Sequence, residues 1–439
     1  MANGRAFGRF EAVLGLVGLI ALAVTYSLVT HWNPLPQAGA WLQKIGTFSE
    51  PAPTWKVTVG NTPSSAVVAS DAAVVMARGY VEARRLGTGE KIWSRDVAWS
   101  GVAGPNGAVV IVGRNTKKHG YDAIDPDTGR VLWSDPDAIG VWTFTDLVVG
   151  ITCPEVMSCT VTAKDPLTGA VKWQTNLTGN GRTLSGANKA LSGVHPLSDL
   201  AEPPGPAPAL LGFPINDEVQ VVPKTSGKPV RSYQGNQTDR VVLADDEVIT
   251  TTVLYRSGSC RYSVAGKDPV GGRPEWHLTG YDLRTSSGLG CEQRKDPGGS
   301  GAYVVATGPD NREQLIDVSA AGRGRKVYEP ADGETIVDTD GRYALVRTAD
   351  AKTVKAVELS TGSTLWSRAA GKSVKVGLGP GVAVFTDPGA NQLVAVGAQN
   401  GNVLMDAKSG ATVLGYAPHG LVVNIGRTVG LLTYQGQAG

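Results

Sequence analysis

The chain is short of the residues that build reaction centres. Its five histidines (His31, His119, His195, His277 and His419) stand singly, with no H-x-x-x-H or H-E-x-x-H spacing. A metal centre needs His, Cys or carboxylates converging at regular intervals, so no metal site is expected. No G-x-S-x-G elbow and no G-x-x-x-x-G-K-[ST] loop occurs. Gly371-Lys372-Ser373 has the tail of such a loop, but Trp366 stands where its first glycine belongs. Asp125-Pro126-Asp127-Thr128-Gly129 lacks the third ligand and distal Glu of a calcium loop. An excess of one charge is also missing. The 41 Lys and Arg against 39 Asp and Glu leave a net charge of +2, which points away from nucleic acid. Aromatic residues make up 6% of the chain and glycines number 57, a composition of tight turns and short strands rather than of helices.

What the chain does have is a repeated phrase, Ala-x-Asp-x-x-x-Gly-x-x-x-Trp. It is complete at Ala123-Asp125-Gly129-Trp133 and again 40 positions later at Ala163-Asp165-Gly169-Trp173. Near copies stand at Ala83-Gly89-Trp93 and Ala356-Glu358-Gly362-Trp366, and weaker ones end on Gly227, Gly288, Gly322 and Gly410. Each copy predicts a strand, a turn and a second strand. Pro presets φ, Asp and Thr bond the backbone ahead, and Gly takes a positive φ. Upstream runs such as Ala108-Val109-Val110-Ile111-Val112 and Val382-Ala383-Val384-Phe385 suit inner strands. A period of about 40 residues built of short strands predicts an all-β propeller of four-stranded blades. The eight phrases predict eight blades, with seven as the alternative. Pairing a strand over residues 55–59 with the stretch 421–434 would close the ring by joining the chain ends.

The N-terminus is of another kind. Residues 12–30 carry no charge and are long enough to span a bilayer core at about 1.5 Å per residue. Arg5 and Arg9 precede them, so the positive-inside rule predicts a cytoplasmic tail over 1–10 and a membrane-spanning signal anchor over 11–32. Residues 33–53 then read as a Pro-containing linker and 54–439 as an extracytoplasmic propeller on the cell membrane. A cleaved signal peptide, with Ala38-Gly39-Ala40 as its site, is the competing reading and exports the same domain. The four cysteines allow three pairings. Pairing by proximity, Cys153 with Cys159 and Cys260 with Cys291, is the one expected, and it agrees with export.

The phrase resembles the tryptophan-docking motif of the pyrroloquinoline-quinone (PQQ) repeat superfamily, over roughly residues 54–436. The resemblance implies an eight-bladed propeller docked through Trp93, Trp133, Trp173 and Trp366. That group holds quinoprotein dehydrogenases, with PQQ, calcium and a catalytic Asp in the central channel, and the non-catalytic lipoprotein propeller of outer-membrane assembly. The chain has no adjacent cysteine pair such as many of the enzymes carry, so the non-catalytic branch is the closer match and no cofactor is expected. No cysteine closely follows the apolar run, which departs from the lipoprotein. Function is therefore expected in binding an envelope protein partner, with a quinoprotein dehydrogenase or a sensor of a small extracellular ligand as alternatives. The stretched fourth and fifth repeats are the places to look. The Pro-rich run Ala201-Glu202-Pro203-Pro204-Gly205-Pro206-Ala207-Pro208 predicts a surface loop. Arg256, Arg261, Tyr262, Arg273, Trp276 and His277 have the composition of a binding loop.

Overall fold

The computed structural model describes residues 48, 51–115, 119–155, 157–180, 184, 186–187, 191–200, 204–235, 239–283, 291 and 297–435. The predicted cytoplasmic tail and anchor helix over 11–32 lie outside them. Among the described residues no helix is long and apolar enough to cross a membrane.

Within these residues, 36 strands form nine sheets. Blade 1 holds β2 (Pro63–Ala69), β3 (Ala72–Ala77), β4 (Tyr80–Arg85) and β5 (Lys91–Asp96). Blade 2 holds β6 (Ser100–Ala103), β7 (Val109–Gly113), β8 (Tyr121–Ile124) and β9 (Val131–Asp135). In blade 3, β10 (Gly140–Thr143), β11 (Val148–Glu155), β12 (Ser158–Lys164) and β13 (Val171–Thr178) are joined by β14 (Gly186–Ala187), inside β10. Blade 4 has three strands, β15 (Leu210–Ile215), β16 (Glu218–Pro223) and β17 (Arg231–Gln234). Blade 5 holds β18 (Asp239–Ala244), β19 (Glu247–Arg256), β20 (Ser259–Lys267) and β21 (Pro274–Thr279). Blade 6 holds β22 (Gly299–Ser300), β23 (Tyr303–Thr307), β24 (Glu313–Asp317) and β25 (Arg325–Tyr328). Blade 7 holds β26 (Thr335–Thr339), β27 (Tyr343–Arg347), β28 (Thr353–Glu358) and β29 (Ser363–Ala369). Blade 8 holds β30 (Lys375–Gly379), β31 (Val382–Asp387), β32 (Gln392–Gly397) and β33 (Val403–Ala407). Blade 9 joins the chain ends: β34 (Thr412–Ala417), β35 (Gly420–Ile425) and β36 (Thr428–Thr433) take β1 (Trp55–Thr58) as their outermost strand. Trp55 lies opposite Leu431 and Thr58 opposite Thr428.

Each letter of the repeated phrase has a physical task. Ala123 is fully buried opposite Trp133, and Ala163 lies opposite Trp173; a methyl group leaves room for the indole on that face. A register shift follows each of these alanines, where the strand turns into the loop. Asp125 Oδ1 accepts from the amides of Asp127 and Thr128, each at 2.9 Å, and Asp165 Oδ1 does the same for Leu167 and Thr168. The glycine then receives the tryptophan of the preceding blade. Gly129 has φ +71°, and a Cβ placed there would lie 2.7 Å from Trp93 Cγ, so only glycine fits on both counts.

The docking geometry recurs with a fixed offset. Trp93 Nε1 donates to Pro126 O at 2.8 Å, Trp133 to Pro166 O at 2.9 Å, Trp173 to Lys224 O at 2.6 Å and Trp366 to Ala398 O at 2.8 Å. Trp55 donates to Leu86 O at 2.6 Å and lies over Gly89. Each acceptor stands three residues before the glycine that the ring covers. Tyr233 replaces tryptophan between blades 4 and 5, its hydroxyl donating to Asp268 O at 3.0 Å. The core follows the same plan. Nine apolar clusters occupy the nine seams, one to each pair of adjacent blades.

The blade count differs from the expected eight or seven, for a traceable reason. Eight of the blades are continuous in sequence, and the ninth is assembled from both chain ends, so it carries no turn phrase of its own. Two of the counted phrases were also misplaced. Lys408-Ser409-Gly410 connects β33 to β34, between blades, and the phrase ending at Gly288 falls outside the described residues. The turns that belong in their place are Asp268-Pro269-Val270-Gly271-Gly272 and Gly397-Ala398-Gln399-Asn400-Gly401, which close around Gly272 N–H to Asp268 O and Gly401 N–H to Gly397 O at 2.8 Å each.

Trp133→Ala should cost about 2–3 kcal/mol, below a fully buried tryptophan because the ring is only half-buried. Trp133→Phe keeps most of the apolar cover and loses the hydrogen bond, so it should cost about 1 kcal/mol. Urea unfolding of the two variants checks both the size and the order.

Candidate functional site

The inner strands of a propeller surround its axis, and propellers commonly have four to eight blades. A ninth blade widens that circle. Here the described residues of the segment between blades 3 and 4 lie along the inner strands. Gly186 and Ala187 pair in parallel with Gly140 and Val141 of β10. Ser192 N–H donates to Gly212 O of β15 at 3.0 Å, on the edge where blade 4 lacks an inner strand, and Ser192 O accepts from Leu243 N–H of β18 at 3.0 Å. His195 N–H donates to Pro297 O, and Gly299 N–H of β22 donates to His195 O at 2.8 Å. Ser198 Oγ reaches Val376 O of β30 at 3.4 Å. The segment then returns: Thr145 N–H, just past β10, donates to Gly205 O at 2.9 Å, and Ala207 N–H to Asp146 Oδ1 at 2.7 Å.

Apolar side chains fix this strap into the seams. Leu191 packs into the cluster of blades 3 and 4, Val194 into that of blades 5 and 6, Leu197 into that of blades 6 and 7, and Leu200 into that of blades 8 and 9. These four stand three residues apart, a period that carries the chain from seam to seam. Where the strap returns, Lys224 Nζ bonds Ala207 O at 2.7 Å and Asp146 Oδ2 at 3.0 Å. Burial raises the Asp146 carboxyl, but the Ala207 amide and Lys224 outweigh it and hold the group below its ordinary value. The described part of the expected surface loop over 201–208 exposes Gly205, Pro206 and Pro208, and it is pinned at two points. Ala207 is buried, and Pro204 faces inner strands across a cavity of about 200 Å³ lined also by Val67, Thr145, Pro380 and Tyr416. The Pro-rich run cannot join a strand, but it can cross strand ends, and that is where it lies.

The second feature is on one face. In every blade the turn between the second and third strands emerges on the same side, because successive strands are antiparallel. Most of these hairpins are short. Those of blades 3 and 5 are long, and each carries a disulfide: Cys153–Cys159 across β11 and β12, and Cys260–Cys291 at the start of β20. The proximity pairing expected from sequence is the one found. Between the two hairpins, blade 4 offers only the tight turn at Asn216 and Asp217. The tall tips expose apolar side chains: Met157 is 54% exposed, Leu254 64% and Tyr255 70%.

The candidate loop residues do not form one loop. Arg256, Arg261 and Tyr262 share the blade 5 hairpin, with Leu254 opposite Arg261 and Val253 opposite Tyr262. Arg273 belongs to the turn at the other end of the blade, and His277 is exposed on the outermost strand. Trp276 is buried between blades 5 and 6 and packs on Gly324 as the other docking tryptophans pack on theirs. Its indole is turned, however. Opposite it stands Gly266, where a Cβ would lie 2.1 Å from Trp276 Nε1 and 2.6 Å from Glu247 Oε1. Trp276 Nε1 and both Glu247 oxygens are buried without a hydrogen-bond partner among the described residues. Burial, reinforced by Glu275, Asp246 and Asp268, pushes the Glu247 carboxyl up to about 7. Leu254, Tyr255 and the strap were missed because they lie outside the repeated phrase. The spacing Leu191, Val194, Leu197, Leu200 was the signal that could have revealed the strap.

Among the described residues, no three His, Cys, Asp or Glu side chains converge to hold a cation.

Residues 45–194 match the family model described as outer membrane protein assembly factor BamB. A search of curated proteins found no match. Among solved structures, BamB from Moraxella catarrhalis is similar at 18% identity, covering 81% of this chain and 98% of that one with a TM-score of 0.38. A quinohemoprotein alcohol dehydrogenase from Comamonas testosteroni is similar at 14% identity, covering 88% and 77%, with a TM-score of 0.39. Apo AztD from Citrobacter koseri is similar at 11% identity, covering 76% and 94%, with a TM-score of 0.39.

The Glu247 carboxyl gives a signed pH dependence. Its folded-state value of about 7 lies above the ordinary 4.5, so the folded chain holds this proton more tightly than the unfolded one. The contribution is fully present below about pH 4.5 and is lost as pH rises to about 7, by about 3 kcal/mol when complete. Glu247→Gln should match the parent at about pH 4 and exceed its stability at about pH 8, as read by urea unfolding at the two pH values.

Proposed function

We propose that this chain, a PQQ-like repeat β-propeller of the BamB-like branch, is a non-catalytic protein-binding scaffold of the cell envelope. The observation that carries the reading is the strap. Its described residues lie along inner strands, toward the axis where the quinoprotein branch of the superfamily keeps its cofactor, and this favours the faces and the rim for binding. The disulfide-braced hairpins of blades 3 and 5 supply exposed apolar groups on one face, on a framework held rigid by nine packed seams. Two disulfides also favour an oxidising compartment. Together with the uncharged run over residues 12–30 and its preceding arginines, they support a single-pass anchor with the propeller outside the cytoplasm. A scaffold tethered in this way meets its partners at the membrane surface.

Affinity capture with the full chain from detergent-solubilised envelope tests this reading. A specific protein should be retained, and Leu254→Ser/Tyr255→Ser/Met157→Ser should lower its recovery at least about fivefold, since contacts of this kind dominate interface energies. Failure to retain any protein, combined with uptake of PQQ and calcium and dye-linked oxidation of an alcohol, would replace the scaffold by an enzyme.

A further inference from the structure

The turn between the third and fourth strands recurs in blades 1 to 8, and in all but one its glycine lies under a side chain of the preceding blade. The exception is Ser360-Thr361-Gly362 in blade 7. That turn is built like the others. Gly362 has φ +69°, against +71° at Gly129 and +70° at Gly169. Its N–H donates to Glu358 O at 2.8 Å, as Gly129 N–H donates to Asp125 O at 2.9 Å. A Cβ at Gly362 would have no described atom within 4 Å, where one at Gly129 would meet Trp93 at 2.7 Å. Residues 360–364 are exposed, and every residue from 297 to 435, across blades 6 to 8 and their links, is described.

The cause lies in blade 6. Tyr328 stands four residues after Gly324, the place that Trp133 holds after Gly129. Opposite Trp133 is Ala123, but opposite Tyr328 is the fully buried Leu315. Leucine fills the room that a methyl group leaves for a docking ring. Tyr328 packs instead into the cluster between blades 6 and 7, and its hydroxyl bonds Lys355. Lys355 Nζ in turn donates to the two Glu334 oxygens at 2.9 and 2.6 Å. Blade 7 therefore presents a finished turn, and the side chain placed to cover it is diverted. No described residue donates to Leu359 O, the carbonyl three residues before the glycine. Its counterparts Pro126 O and Pro166 O each accept an indole N–H.

We infer that the turn at Gly362 is a docking site for a tryptophan side chain of a partner protein. The chain's own copies identify the occupant. In blades 2, 3 and 8 the same turn holds a flat ring against its glycine and an N–H toward that carbonyl. Tryptophan supplies both, whereas phenylalanine lacks the donor. The indole lies on Gly362 with its N–H toward Leu359 O. Successive strands are antiparallel, so this turn opens on the face opposite the tall hairpins. The inference rests on the scaffold reading and deepens it by naming the side chain through which the partner is held.

The test is a selection of displayed random dodecapeptides on the full chain in detergent, followed by fluorescence anisotropy with the enriched peptide. The enriched peptides should share a tryptophan. Its replacement by benzothienylalanine, which keeps the ring and removes the N–H, should weaken binding about fivefold, as loss of one hydrogen bond does. Replacement by alanine should weaken it at least about tenfold. Two variants of the chain locate the effect. Gly362→Ala puts a methyl group where the ring would lie, and Leu315→Ala/Tyr328→Trp restores the chain's own docking pair. Each should weaken the peptide at least about tenfold, with cooperative thermal melting retained. If the buried Leu315 substitution prevents folding, Gly362→Ala, which lies on an exposed turn, decides alone. Peptides without a shared tryptophan, or equal binding to folded Gly362→Ala, would overturn the inference. A tenfold gain in peptide affinity on Trp32→Phe/Trp41→Phe would assign the turn to the chain's own N-terminal tryptophans and overturn it as well. If full-length Gly362→Ala still captures its envelope partner undiminished, the docking site is wrong while the scaffold reading stands.

Discussion

A flat indole laid over a glycine turn is the interaction on which this molecule depends. It solves two problems at once. The outermost strand of a blade has one free face, and a tryptophan there covers apolar area that would otherwise meet water. The next blade's turn exposes carbonyls, and the indole N–H bonds one of them three residues ahead of the glycine, at distances from 2.6 to 2.9 Å. The turn must be glycine because of both φ and the approaching ring. The strand opposite must carry alanine because a larger side chain would displace the ring. One docking contact therefore constrains three positions of the repeat, and the turn's own Asp adds a fourth, which together make the phrase complete in blades 2 and 3 and recognisable in blades 1 and 7.

Where the contact weakens, the ring uses other means. Tyr233 reaches two carbonyls of the blade 5 turn with its hydroxyl, at 3.0 and 3.2 Å, while Arg231 covers Gly272. Trp276 keeps the cover and gives up the hydrogen bond. Its indole N–H is buried beside a carboxyl that burial holds toward the neutral form. These two irregular seams flank blade 5, the blade with the longest hairpin. Blade 4, beside it, lacks an inner strand altogether. The strap completes that edge through Ser192 and then continues around the axis, so the least regular part of the ring is also where the chain crosses its own channel.

Fold class was legible in sequence because turn chemistry is local. Asp125 and Gly129 state their φ values and hydrogen bonds without reference to distant residues, and the ring closure between residues 55–59 and 421–434 followed from two strands left without partners. The blade count was less legible. A blade made from both chain ends has no turn between its last two strands, so counting phrases undercounts the ring by one. The turns at Gly272 and Gly401 lack the tryptophan that marks the better copies. The candidate binding residues were only partly legible. Composition could place Arg256, Arg261 and Tyr262 near one another but could not separate them from Trp276, which alternation along β21 turns into the core. The strap was invisible to propensity because its proline run resembles any surface loop. Only its three-residue apolar spacing distinguishes it.

The account stands or falls on whether that strap lies in the channel as a fixed part of the fold. Hydrogen–deuterium exchange of the full chain tests this most directly, through the amides of His195 and Ser192 on the strap and of Leu243 and Gly299 on the inner strands they bond. The account predicts that all four exchange together and slowly, about a thousandfold or more below an open loop, as the core of a cooperative unit does. Strap amides exchanging at loop rates while Val110 and Val384 stay protected would show an open channel, and would return the cofactor-binding reading to the front.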